Sequence, residues 1–180
     1  MELRTGTISR LRDALLQSGR RPSIVVSPAY ETLTREGLLS IDELAALTRV
    51  DPLAETMFLM MSVDGRVEEA EIVALRGAIR GLTDNLLRSG TIKVMVENYQ
   101  QRLAEQGRDA RLQEIAEELA DEPSEAEGAF ALAAAIALAD DNVAPEENAL
   151  INQLADWFGI SEARADEILD QLEQDAEASA

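Results

Sequence analysis

The sequence predicts an all-α protein: a compact helical bundle of about seven helices with an internal pseudo-repeat, preceded by an N-terminal helical extension. Three observations carry that expectation. The apolar residues are chiefly Ala, Leu, Ile, Val and Met while aromatics make up only 3%, a composition that suits helices packed through small aliphatic side chains. Apolar residues recur at helical spacing between well-marked turn signals. Two stretches, Met60–Leu82 and Ile136–Phe158, also share one pattern at an offset of 76 residues, as expected of a repeated unit.

Residues 1–50 form the extension and residues 51–180 the helical domain. In the extension, Ile8, Leu11 and Leu15 fall on one face of a short amphipathic helix, which Gly19 and the Pro22 to Pro28 stretch break. Ser40 followed by Glu43 makes a capping box for a helix through Leu47, and Pro52 opens the next helix as its first residue. Helices are then expected near 52–63, 68–81, 89–106, 109–121, 125–139, 145–158 and 162–175. Asp64-Gly65, Gly107, Pro123 and Gly159 separate them. Ser124 with Glu127 reads as a second capping box, and Pro145 takes a first helical position with Glu146 and Glu147 beside it, where acids complement the helix dipole. Met57, Met60 and Met61 read as adaptable core packing, and Trp157, Phe158 and Ile160 as core anchors around a C-cap at Gly159.

Charge and residue usage exclude several classes of function. The formal net charge is −19, which repels phosphate backbones, so no nucleic acid is expected as a partner. The charge is uneven: Arg4, Arg10, Arg12, Arg20 and Arg21 face only Glu2 and Asp13 in residues 1–21, a balance of +3 that leaves −22 on the rest. That basic arm has three readings, namely folding back on the acidic body, docking on an anionic membrane or another protein, or disorder; charge attraction and the apolar face favour the first. Cysteine and histidine are absent, which removes disulfides, thiolate nucleophiles, Cys/His zinc sites and histidine as base or ligand. The longest apolar run, Ala129–Ala139, is about half of what spans a bilayer. With no apolar signal stretch at the N-terminus, a cytoplasmic protein without a membrane span is expected.

The repeat places acids at matching turns. Asp64/Asp140, Val67/Val143 and Glu71/Glu147 are identical, and Met60/Ile136, Leu75/Ile151 and Leu82/Phe158 stay apolar. The common frame is an apolar helix, then D-x-x-V-x-x-x-E, then an amphipathic helix. Asp64-Gly65-Arg66-Val67 with Glu71 looks like the second half of an EF-hand loop. The residues that would supply the other oxygen ligands are Met60 to Val63 in one copy and Ile136 to Ala139 in the other, so a calcium loop of that type is excluded in both. Two readings of Asp64, Glu71, Asp140 and Glu147 remain open. As carboxylates on paired turns they suit a hard divalent cation shared across a pseudo-twofold axis. As local structure, the aspartates brace the turns and the glutamates satisfy amides at the next helix starts.

The doubled helix, acidic turn, helix arrangement and its long middle section resemble the TerB-like family over roughly residues 52–175, a fold also found as the N-terminal part of a membrane-anchored DnaJ-type co-chaperone. The resemblance implies a compact pseudo-symmetric bundle and a divalent-cation site, for calcium or magnesium, at Asp64, Glu71, Asp140 and Glu147. It also implies an association with tellurite and stress resistance, and protein partners that include membrane-associated components of a resistance system. The second turn, Asp140-Asp141-Asn142, departs from the pattern by lacking the glycine of the first. The expected function is therefore a non-catalytic cytoplasmic interaction module with no other cofactor. The alternatives are a metal-dependent phosphohydrolase, with Arg66 as the cation nearest the first turn, and a purely structural acidic bundle. The acids Glu114, Glu117, Glu118 and Asp121 read as a solvated face over Leu112, Ile115 and Leu119. A di-iron centre fails for want of histidine.

Overall fold

A computed structural model describes residues 5–17, 28–139 and 144–177. Nine helices and no strand occur among the described residues: α1 (Thr5–Gln17), α2 (Glu31–Arg35), α3 (Ile41–Met61), α4 (Glu69–Leu82), α5 (Ser89–Gln106), α6 (Arg108–Glu118), α7 (Pro123–Ala137), α8 (Pro145–Trp157) and α9 (Glu162–Glu177). Short 3₁₀ turns cover Pro28–Tyr30 and Ser62–Asp64. From α3 onward these are the helices the periodicity predicts.

Two helices form the centre. Every residue of α3 from Leu53 to Met61 is buried, as are Ala126 and the run from Gly128 to Ala134 in α7. A helix apolar on all sides must be covered on all sides, and α3 and α7 pack on each other while the remaining helices wrap them. Alanines at 129, 131, 133, 134 and 137 keep α7 slim, and at Gly128 its backbone lies beside Leu53 of α3. α4 packs on α3 and α8 on α7; α5 and α6 lie against α3, and α9 against α7.

The repeat seen in the sequence is a repeat of structure. α3 ends at Met61 and α4 begins at Glu69; α7 ends at Ala137 and α8 begins at Pro145, the same boundaries displaced by 76 residues. The helix ends also close alike. The Ser62 amide donates to the Phe58 and Met60 carbonyls, and the Leu138 amide to those of Ala134 and Ile136.

Two expected boundaries differ. Pro52 does not start a helix but lies inside α3, which runs unbroken from Ile41. A proline in a helix interior removes one backbone hydrogen bond and costs about 3 kcal/mol. Here Leu47 and Val50 before it and Leu53 and Ala54 after it enter the same core, and that shared burial outweighs the lost bond. Ser124 does not cap α7. The helix begins two residues earlier than expected, at Pro123, whose fixed φ suits a first helical position. Glu127 turns instead to Arg164 of α9, receiving hydrogen bonds of 3.1 Å from Nε and 2.8 Å from Nη2.

The Ser40 capping box is present as expected. Ser40 Oγ accepts from the Glu43 amide at 3.2 Å, and the Ser40 amide donates to Glu43 Oε2 at 2.8 Å. Arg88, just before α5, donates from Nε to Glu43 Oε1 at 2.8 Å. The Ser40 amide, its hydroxyl and the Arg88 guanidinium hold the Glu43 carboxyl below its ordinary value against the opposing effect of burial. The unfolded chain therefore binds a proton at Glu43 more readily than the folded one. The stability this group contributes is complete above the ordinary glutamate value of 4.5 and is lost as pH falls through the lower folded value. Glu43→Gln is expected to flatten the acid limb of a stability–pH curve measured by urea denaturation between about pH 6 and pH 3, leaving the neutral-to-alkaline limb unchanged in shape.

Candidate functional site

The first acidic turn follows from α3 reaching its end. Gly65 adopts φ 91°, a left-handed conformation that glycine enters without strain, and its amide donates to Ser62 O at 3.0 Å. Asp64 Oδ1 accepts the Arg66 amide at 3.1 Å, closing the turn, and the aspartate is otherwise exposed. Arg66 lies 4.0 Å from both Asp64 and Glu68. Glu71 Oε2 accepts the Glu68 amide at 2.6 Å at the start of α4. In the second copy Glu147 Oε2 accepts the Ala144 amide at 2.8 Å at the start of α8. Residues 68 and 71 map onto 144 and 147 at the repeat offset of 76, so one capping contact is built twice. Asp140 lies outside the described residues.

The two copies are not remote from one another: the Ser62–Asp64 turn packs against α8. Arg108, at the start of α6, also reaches the first turn, donating from Nη1 to Val63 O at 3.5 Å. No group of three or more acids able to hold a metal ion gathers among the described residues. The three described acids have the cap and turn contacts that the local-structure reading requires.

A second polar centre, not anticipated from the sequence, is buried between α3, α5 and α6. Glu55 is 1% exposed. Arg111 of α6 grips it with one edge of the guanidinium, Nε to Oε1 at 2.9 Å and Nη2 to Oε2 at 2.7 Å, and Arg102 of α5 adds Nη1 to Oε2 at 2.6 Å. One helical turn earlier, Asp51 Oδ1 accepts the hydroxyls of Tyr99, at 2.8 Å, and of Tyr30. Arg102 lies 3.7 Å from Asp51 Oδ2 and so bridges the two acids. Arg111 also donates to Glu114.

Burial raises the Asp51 carboxyl above its ordinary value, against the lowering effect of the tyrosine hydroxyls and of Arg102. Burial, with the Asp51 charge behind it, pushes both tyrosine hydroxyls well above 10, so each remains a protonated donor. Burial opposes the charge on Arg111, but the Glu55 hydrogen bonds and charge outweigh it and raise its pKa. In this centre Asp51 and Glu55 face Arg102 and Arg111, and the hydrogen bonds among them fasten α3 to α5 and α6. Through Tyr30 the centre attaches the segment before α2 to the helical body. The signal available in the sequence was Asp51 and Glu55, one turn apart in an otherwise apolar stretch; nothing there identifies Arg102, Arg111, Tyr30 or Tyr99 as their partners.

No helix of the described residues is long and apolar enough to cross a membrane. A family model described as Tellurite resistance protein TerB matches residues 51–171. No curated protein and no solved structure matches the chain.

Proposed function

The chain belongs to the TerB family, and from that membership we propose that it is a non-catalytic interaction module whose paired acidic turns take up a divalent cation and tune its affinity for a protein partner. The observation that carries this reading is the duplication of the turn. Both helix ends, both helix starts and the glutamate-to-amide contacts at Glu71 and Glu147 repeat at one offset, and the first turn packs against the second copy's α8. The glutamate caps fix the geometry of each turn; Asp64 and Asp140 are the carboxylates that would meet a hard cation, calcium or magnesium. A phosphohydrolase would need a cation to receive phosphate beside these acids; Arg66 faces Asp64 and Glu68 instead, and Arg108 donates to Val63 O and pairs with Asp109. The partner is proposed to be a protein of a tellurite- or stress-resistance system, membrane-associated components included, and the place of action the cytoplasm.

Calorimetric titration of metal-stripped protein with Ca²⁺, Mg²⁺ and Mn²⁺ tests the cation. Saturable binding is expected, and Asp64→Asn combined with Asp140→Asn should abolish it while the helical circular dichroism stays unchanged. Heat no larger than the diffuse attraction of an acidic surface, or binding that survives the double substitution, would return the four acids to turn and cap duty.

A further inference from the structure

The surface beneath α1 has the features of a binding site with an imperfect occupant. α1 lies across α4, α7 and α9, beyond the N-terminal limit of the family match at residue 51. Its apolar face enters a prepared notch: a Cβ added to Gly81 of α4 would come within 2.6 Å of Ile8 Cγ2, so a glycine is what lets α1 approach. Its polar edge meets acids, with Arg10 on Asp175 of α9, Thr7 Oγ1 donating to Asp175 Oδ2 at 3.4 Å, and Arg12 3.5 Å from Asp84. The rest of the fit is poor. Only Thr7, Ile8 and Leu15 of α1 are buried, and Leu16 is 64% exposed. On one side a groove of 590 Å³ runs along Leu11 and Ala14, with Gly128, Ala131 and Ile168 at its apolar floor and the charged Glu127, Arg164, Glu167 and Asp170 along its walls. On the other, a cavity of 120 Å³ lies between Leu15 and Leu16 and the side chains of Val50 and Leu82. Both openings face solvent, and they flank one helix. Asp84 is 83% exposed and Arg10 is 40% exposed, so the ion pairs that hold the polar edge are of the weak, salt-screened kind.

We propose that the α4/α7/α9 surface is the docking site for a basic amphipathic helix of another protein, and that α1 occupies it in cis as a displaceable stand-in. The voids favour a foreign helix over a second copy of α1, which would leave the same gaps. A helix carrying larger apolar residues where α1 has Leu11 and Ala14 would fill the groove, and its arginines or lysines would meet Asp84 and Asp175. Tethered in cis, α1 competes at an effective concentration of about millimolar. A partner must exceed that competition or bind when it is relieved. The inference makes no use of the acidic turns, and its test is run in EDTA, so its outcome and that of the cation titration are separate.

The probe is a fluorescein-labelled peptide of residues 2–17 with Leu11 and Ala14 both replaced by Phe, and the readout is fluorescence anisotropy with the full-length chain. Binding to the wild-type protein is expected to be weak. Ile8→Asp with Leu15→Asp, which releases α1 and leaves the receiving surface intact, should tighten it at least about tenfold. Adding Gly81→Leu, which fills the notch, should abolish binding, and raising salt from 50 to 500 mM should weaken it several-fold. Equal affinity for wild type and the α1 variant, or binding that survives Gly81→Leu, would overturn the proposal. So would loss of the folded state in the α1 variant, by circular dichroism, because α1 would then be integral to the body. A wild-type dimer by light scattering that Ile8→Asp dissolves would overturn it in favour of exchange of α1 between copies.

Discussion

Glu55→Ala should destabilise the protein by about 3–5 kcal/mol, because it strands a buried guanidinium. Arg111 is 5% exposed and spends two of its nitrogens on Glu55; without the carboxylate, its remaining carboxylate partner is the partly exposed Glu114. Arg102 would lose its 2.6 Å hydrogen bond to Glu55 and keep the longer contact to Asp51. In a chain of this size the change corresponds to a fall in Tm of roughly 10 °C, readable by urea or thermal denaturation at neutral pH. A loss below about 1 kcal/mol would show that water reaches the pair and that the network is worth no more than a surface salt bridge. Replacing Glu55 and Arg111 together with methionine should recover most of the loss, since a buried ion pair exchanged for apolar groups of similar volume is often neutral or better.

Phe58→Ala is expected to cost a comparable amount, about 3–5 kcal/mol, for a different reason. Phe58 is 1% exposed in the last turn of α3 and its ring centroid lies 5.9 Å from that of Tyr99, tilted by 42°. Truncation leaves a cavity beside Tyr99 in a fully buried part of the core. It also frees the ring whose hydroxyl donates to Asp51. The losses from Phe58→Ala and Tyr99→Phe should therefore fail to add, with a coupling of about 0.5 kcal/mol or more in a double-mutant cycle. Additive losses would mean that the aromatic contact does not position the hydroxyl.

The contrast between these two residues explains how much was legible in advance. Phe58 belongs to an apolar periodicity, and periodicity is local: it placed the helices from α4 to α9 within a few residues and identified the turns at Gly65, Gly107 and Gly159, each of which has positive φ. The 76-residue offset was legible for the same reason, since Glu71 and Glu147 announce helix starts by their own neighbours. Glu55 depends on Arg102 and Arg111, which come from two other helices, and no spacing rule links them. The continuity of α3 through Pro52 was likewise a tertiary decision, because burial of both sides overrode a local stop signal. At the acidic turns the local half of the candidate site, cap and turn, could be read from residue type; whether the aspartates meet a common ion depends on how two distant turns are brought together.

Placing the two most buried helices in different halves of the chain also shapes the order in which the protein can be made. The α3/α7 seam joins segments with α4, α5 and α6 between them, so closing it incurs the loop entropy of the whole middle section before the seam returns any stability. A nascent chain that has not yet exposed Pro123 beyond the ribosome can pack α4, α5 and α6 on α3 but has nothing to cover the face of α3 that α7 takes. Synthesis of α7 is thus the commitment step, and the interval before it is when this acidic protein depends most on its net charge to keep unfinished copies apart.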